Sequence, residues 1–410
     1  MAELSYQIPE FGRAKRIMRI PESHALYLCP NACGRRQGIR ALRNGEADHA
    51  SFLRFSQTDI VSGAYEEQVV QAVGELLDAL HPRPRVLSLY VNCIDDFLGT
   101  DEDGLLAELR AAFPGMRFLL SHINPIAADL ARSTAKNIHT RLYDALDEVD
   151  EHDAGINLVG NFEAPPPSCE LYRVLDEAGA RPVRQLIACA SFDEYLDLAK
   201  SRFTLSLSHL GDGAAASMEE RFGIASMRWH AAYDVAEVGR RYAALFEALE
   251  VTDDARARID ATLLARRQAA EAAHDAARRA VGDLPVVVDS SASLMPFSLA
   301  LALLETGFNV AAVFGLHLKG CDDGAEARLL REYPQVVVVR KESYEAIQGY
   351  GFSRACLAIG SDAAFLLHAQ HTVDLYHDEG FFGYQGIERL ARAMVDAVED
   401  AASDAAEGEA

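Results

Sequence analysis

Two cysteine-bearing stretches concentrate the side chains able to do chemistry: Leu28-Cys29-Pro30-Asn31-Ala32-Cys33-Gly34-Arg35-Arg36 and Val91-Asn92-Cys93-Ile94-Asp95-Asp96-Phe97-Leu98-Gly99. In each, an apolar strand-like run (Ala25 to Leu28; Val86 to Val91) gives way to a polar turn and then a helical pattern. That places Cys29, Cys33 and Cys93 at the ligand-binding edge of an open α/β sheet. Thiolates that converge on a pocket, in a chain without a secretion signal, point to metal binding or redox chemistry more than to disulfides. The alternative is that they are small apolar residues of a core. Cys29-x-x-x-Cys33 is not a zinc-ribbon pair, and no later Cys-x-x-Cys completes one. Iron–sulfur clusters, by contrast, accept irregularly spaced cysteines.

Asp95 and Asp96 read in two ways. Close carboxylates push one pKa up and can act as an acid/base pair; at a helix start they cap the helix and fix the cysteine turn. No Gly-x-x-x-x-Gly-Lys-(Ser/Thr) loop occurs, so this chain is not expected to hydrolyse ATP by a P-loop. Gly211-Asp212-Gly213 is too slight for a dinucleotide fingerprint. His368, His371 and His377, at i, i+3 and i+9, suggest a zinc or nickel site only as a minor alternative. Cys169, Cys189, Cys321 and Cys356 fall in helical or strand patterns and read as core.

The elements that must position these residues follow from composition and period. At 410 residues, 50% of them apolar, the chain can bury a large core divided among two or three domains. No run of about 18 apolar residues occurs, and Met1 to Gly12 has no signal-peptide apolar region, so a soluble, cytoplasmic protein is expected. A net charge of −23 argues against a nucleic-acid partner, which needs a basic surface. The clustered basic residues Arg35, Arg36, Arg40 and Arg43 follow Cys33 on a helix-like stretch. They either steer an acidic protein or anionic substrate toward the cysteines, or form a solvated helix face.

Strand-like runs alternate with amphipathic helices from Ala25 onward, the best helix running from Glu66 to Leu80, and this is the signature of a parallel sheet. Residues 1–150 read as an N-terminal α/β domain carrying the cysteines, and 151–251 as a second α/β domain. Residues 252–281 read as a long linking helix of good helix formers, and 282–410 as a C-terminal α/β domain with an acidic tail.

The run from Ala25 to Val73, with Pro30-Asn31-Ala32-Cys33-Gly34 and then Thr58-Asp59-Ile60-Val61-Ser62-Gly63-Ala64, resembles the nitrogenase component 1 family. Cys93-Ile94-Asp95-Asp96-Phe97-Leu98-Gly99 is similar to that family's second cysteine turn, and Gly383-Tyr384-Gln385-Gly386 to its terminal helix start. The resemblance covers nearly the whole chain in element order. It implies three tandem Rossmann-like α/β domains with parallel sheets.

It also implies that Cys33 and Cys93 ligate an iron–sulfur cluster between two related subunits, with Cys29 as a third candidate. Two arrangements give the irons four ligands. Either Cys29, Cys33 and Cys93 bind with one outside ligand, or Cys33 and Cys93 from two copies share a dimer-bridging [4Fe–4S] cluster, which is favoured. Thr204 to Leu210, followed by Met218 to Ile224, resembles the catalytic segment that approaches the large molybdenum–iron cofactor. His209 matches its histidine, but Leu210 stands where the thiolate ligand would be, which argues against that cofactor and against dinitrogen reduction. His209 then either lines a substrate pocket or is a hydrogen-bonded structural residue.

The partners implied are a second copy or a homologous subunit, an ATPase resembling the nitrogenase iron protein, through which alone ATP enters, and a small organic, tetrapyrrole-like substrate. The competing reading is a scaffold or carrier for metallocofactor assembly. A third is a regulatory or structural α/β protein without a cluster.

Overall fold

The computed structural model describes residues 18–62, 65–123, 134–315, 321–339 and 355–408. Strands β1 (Ser23–Cys29), β2 (Ala50–Arg54), β3 (Val86–Asn92) and β4 (Arg117–Ile123) pair in parallel in the order β2-β1-β3-β4. β3 is buried along its whole length, as a strand covered on both faces must be. Side-chain alternation divides the sheet into two faces. Leu26, Leu28, Leu87 and Leu89 pack with Val69, Val73 and Leu77 of the helix Tyr65–Ala79, whose apolar spacing of four predicts that face. Tyr27, Cys29 and Tyr90 lie on the other face. There Tyr27 stacks on Phe52 and on Tyr90, with ring centroids 5.2 and 4.9 Å apart.

A second sheet joins β5 (Ile156–Val159), β6 (Val183–Arg184), β7 (Phe203–Ser206) and β8 (Ala225–Arg228) in the order β6-β5-β7-β8, again all parallel. Residues 14–162 and 182–228, which carry both sheets, form one compact unit. One apolar cluster in it includes Val86, Leu119, Tyr143, Val159, Phe192 and Met218. The helix after β7 runs Asp212–Phe222 and stops at Gly223 (φ +71°), a left-handed glycine cap.

Residues 163–181 and 229–410 form a second compact unit. Its sheet joins β9 (Val286–Asp289), β10 (Val310–Phe314), β11 (Val337–Val339), β12 (Leu357–Ile359) and β13 (His371–Val373) in the order β11-β10-β9-β12-β13, all parallel. The expected long helix is Asp253–Val281, opened by Thr252, whose hydroxyl accepts from Ala255 N–H at 3.4 Å. The acidic tail continues the helix Gly383–Gly408, because alanine and glutamate are strong helix formers. No helix among the described residues is long and apolar enough to cross a membrane.

Candidate functional site

In the first sheet β1 lies between β2 and β3, so the chain moves to one side of β1 and then to the other. The carboxyl ends of β1 and β3 therefore flank a switch point, the crevice where open α/β sheets bind ligands. Cys29 ends β1; Cys93 opens the helix Cys93–Leu98 directly after β3; Cys33 sits in the first turn of the helix Asn31–Arg43. Tyr27 is in register with Tyr90, which puts Cys29 beside Asn92 and one residue from Cys93. Asn92 ties the two strand ends together, its Nδ2 donating to the Leu28 carbonyl at 2.7 Å.

Local hydrogen bonds shape the Cys93 turn. Ile94 N–H donates to Asn92 Oδ1 at 3.0 Å and Asn92 N–H to Asp95 Oδ2 at 2.9 Å, a reciprocal capping box. The Thr100 hydroxyl donates to Asp95 Oδ1 at 3.4 Å. Both oxygens of the buried Asp95 are thus engaged in holding the turn, the capping role that its sequence position predicts. The helix capped is the one that Cys93 itself begins, while Asp101 caps the next helix by accepting from Gly104 N–H at 3.0 Å. Asp96 lies on the Cys93 helix, and its side chain is outside the described residues.

The three thiols differ in surroundings. Cys33 is exposed and Cys93 half-buried. Cys29 is buried on the aromatic face, its Sγ 3.9 Å from the Tyr27 carbonyl. A Cβ on Gly34 would come 2.9 Å from that sulfur, so the helix carrying Cys33 passes close over Cys29. Burial first, and then the neighbouring Cys33, push the Cys29 thiol up to about 11. Soft thiol donors at a strand-order switch suit an iron–sulfur cluster. Cys33 and Cys93 are the more accessible of the three, and Cys29 is buried. None of the seven cysteines is in a disulfide.

Around the crevice, Arg35, Arg36, Arg40 and Arg43 are exposed on the helix that carries Cys33. The same helix exposes Ile39 and Leu42, at 44% and 69%, and the helix Gln57–Ser62 exposes Val61 at 88%.

The second sheet brings together another set. His209 follows β7, its Nδ1 3.5 Å from Asp212 Oδ2, and Arg228 Nε lies 3.6 Å from that same oxygen. The Ser206 hydroxyl donates to Asp212 Oδ1 at 2.8 Å. Sequence reasoning missed His139, whose Nε2 accepts from Gly160 N–H at 2.8 Å and so anchors the turn after β5 beside the His209 turn. Burial holds the His139 ring down to about 4, so it is neutral and able to accept. A lone histidine on the helix Thr134–Arg141, in a charged stretch, carries no signal for this contact.

A family model described as nitrogenase component 1 type oxidoreductase matches residues 15–399. Among solved structures, the chain is similar to a nitrogenase Cp1 structure at pH 6.5, with a TM-score of 0.72, 15% identity, and coverage of 97% of this chain and 95% of the other. It is also similar to nitrogenase Cp1 at pH 5, with a TM-score of 0.62, 13% identity, and coverage of 93% and 85%. No curated protein matches the sequence.

Proposed function

Because the chain belongs to the nitrogenase component 1 type oxidoreductase family, we propose that it is the iron–sulfur component of a cytoplasmic, nitrogenase-like reductase. The observation that carries this reading is the placement of Cys29, Cys33 and Cys93 at the carboxyl ends of adjacent strands, at the strand-order switch of the first sheet. Cys33 and Cys93 would hold a [4Fe–4S] cluster shared with a second copy or a homologous subunit. The exposure of Cys33 supports a ligand set completed across an interface. Cys29, turned into the aromatic face, is the third candidate ligand. When bound, the cluster supplies single-electron transfer.

The protein's own residues do the rest. Asn92 and Asp95 fix the Cys93 turn, so both sulfur-bearing turns keep their spacing. The arginine row at 35, 36, 40 and 43 presents positive charge on a chain of net charge −23, suited to steering an acidic partner to the cluster edge. That partner is an ATPase resembling the nitrogenase iron protein, since this chain has no P-loop. The substrate is a small organic, tetrapyrrole-like molecule. His209, held beside Asp212, lines its pocket, and Leu210 leaves no thiolate there for a large metal cofactor.

The test is anaerobic turnover with an iron protein, reductant and ATP, with tetrapyrroles as candidate substrates. Reduced product from wild type, lost in Cys33→Ala and in Cys93→Ala, is expected. Transfer of metal to another protein without any product would replace the reductase reading with that of an assembly scaffold.

A further inference from the structure

In the third sheet β9 lies between β10 and β12, so the strand order reverses there and the carboxyl ends of β9 and β12 flank that sheet's own ligand edge. A short strap crosses the turn after β9: His377 N–H donates to the Ser291 carbonyl at 2.8 Å, and Asp378 N–H to the Ala292 carbonyl at 2.9 Å. Both strap residues lie in the left-handed region, with φ +44° and +60°, a conformation that L side chains hold only when their surroundings impose it. The imposing contact is a ring of three side chains. The Tyr233 hydroxyl is 2.7 Å from Asp378 Oδ1, the Ser293 hydroxyl is 2.9 Å from Asp378 Oδ2, and the two hydroxyls are 2.5 Å apart. Tyr233 and Ser293 are buried.

Three O···O contacts of hydrogen-bond length need three hydrogens, and two hydroxyls supply two. An ionised Asp378 would leave one pair of oxygens facing each other through lone pairs. A protonated Asp378 closes the ring: its O–H donates to Tyr233, Tyr233 to Ser293, and Ser293 to Asp378 Oδ2. The remaining acceptor capacity is also used, because Met295 N–H donates to Ser293 Oγ at 2.8 Å and Leu294 N–H to Asp378 Oδ2 at 3.3 Å. We propose that Asp378 is a neutral carboxylic acid and that its proton latches the 376–379 strap over the carboxyl edge of the third sheet, loss of that proton releasing it.

The groups facing Asp378 agree. Tyr233 approaches from the segment before the helix Val235–Ala248, Ser293 and Leu294 from the turn after β9, and the Asp322 carboxylate from the cap of the helix Asp323–Glu332. Asp322 is itself held by Phe297 N–H at 2.7 Å, and its charge, like burial, disfavours a second carboxylate nearby. His377 is the neighbour on the strap, its ring stacked on Tyr376 at 4.3 Å. Burial, opposed in part by the hydrogen bonds from Tyr233 and Ser293, raises Asp378 from 3.8 to about 6. A folded value raised in this way means the latch is fully closed below about 3.8 and is lost as pH rises through about 6.

Hydrogen exchange of the His377 and Asp378 amides, corrected for the intrinsic rate, tests this across that range in the full-length protein. Wild-type protection is expected to fall by up to about tenfold per pH unit between about 3.8 and about 6 and to level off above that range. In Asp378→Asn the amide supplies the third hydrogen at every pH, so protection stays flat and matches that of wild type at low pH. A flat wild-type profile, or an Asn variant less protected than wild type at all pH values, would overturn the proposal. Should the Asn variant not fold, Tyr233→Phe decides. It leaves two donors that a carboxylate can accept unaided, so ionisation no longer opens the strap and the loss of protection with rising pH shrinks; a loss as large as that of wild type contradicts the latch.

Discussion

Glu170→Ala lowers stability in denaturant unfolding by about 3–5 kcal/mol. Glu170 is 2% exposed and caps the helix Gly383–Gly408 from a distant part of the chain. Its carboxylate accepts from Tyr384 N–H at 2.6 Å, Gln385 N–H at 3.3 Å and the Tyr242 hydroxyl at 3.1 Å. Removing it strands three donors, two of them N–H groups of a helix start that have no partner within the helix. Glu170→Gln costs less, about 1–2 kcal/mol, because one acceptor oxygen remains. Burial raises the Glu170 pKa, so the wild-type contribution is fully present below the ordinary 4.5 and declines as pH rises through the folded value. The Gln variant should therefore show a flatter stability profile above that pH. An Ala variant within about 1 kcal/mol of wild type would show that the helix start is satisfied by other groups.

Gly160→Ala is the second large effect, with an expected loss of about 3 kcal/mol or more in the same assay. Gly160 has φ +92°, and a Cβ there would lie 2.9 Å from Gly211 N, 3.0 Å from Gly211 Cα and 3.0 Å from Ser208 N. All three are backbone atoms, so relief requires the β5 turn and the His209 turn to move apart. Gly160 also donates its N–H to neutral His139 and accepts from the Ser208 hydroxyl. Burial depresses His139, so its contribution is present above the ordinary 6.5 and is lost as pH falls through about 4. Acid and the Ala substitution should loosen the same turn. A variant with a wild-type unfolding midpoint would mean that this close approach is not required.

Much of the architecture is legible in the residues because it is local. Val69, Val73 and Leu77 at helical spacing mark the helix Tyr65–Ala79, Gly223 marks a helix stop, and Thr252 opens the long helix at a cap position. The Asn92-to-Asp95 capping box is likewise written within four adjacent positions, which is why the Cys93 turn can be read as a strand-to-helix junction. Strand order is not local. Nothing in the sequence around Cys29 says that β3 rather than β2 follows it across the switch point, and that neighbourhood brings Cys93 to Cys29. The orientation of Cys29 into the Tyr27–Tyr90 stack depends on the same pairing.

The contacts least visible in the residues span the longest separations. Asp378 meets Tyr233 across 145 positions, and Glu170 meets Tyr384 across 214. Each is an ordinary polar residue until the fold removes it from water. The family resemblance adds the Cys33 and Cys93 pairing as an expectation, and the described geometry supplies the common sheet edge on which it depends.

The central claim is that Cys33 and Cys93 hold a cluster shared between two chains. The most direct measurement is iron and acid-labile sulfide per chain on anaerobically purified protein, with electron paramagnetic resonance after reduction, for wild type, Cys33→Ala and Cys93→Ala. The account predicts about four irons and four sulfides per dimer in wild type, with a reduced-cluster signal, all lost in both variants. Wild-type protein that holds no iron even after anaerobic reconstitution would contradict it.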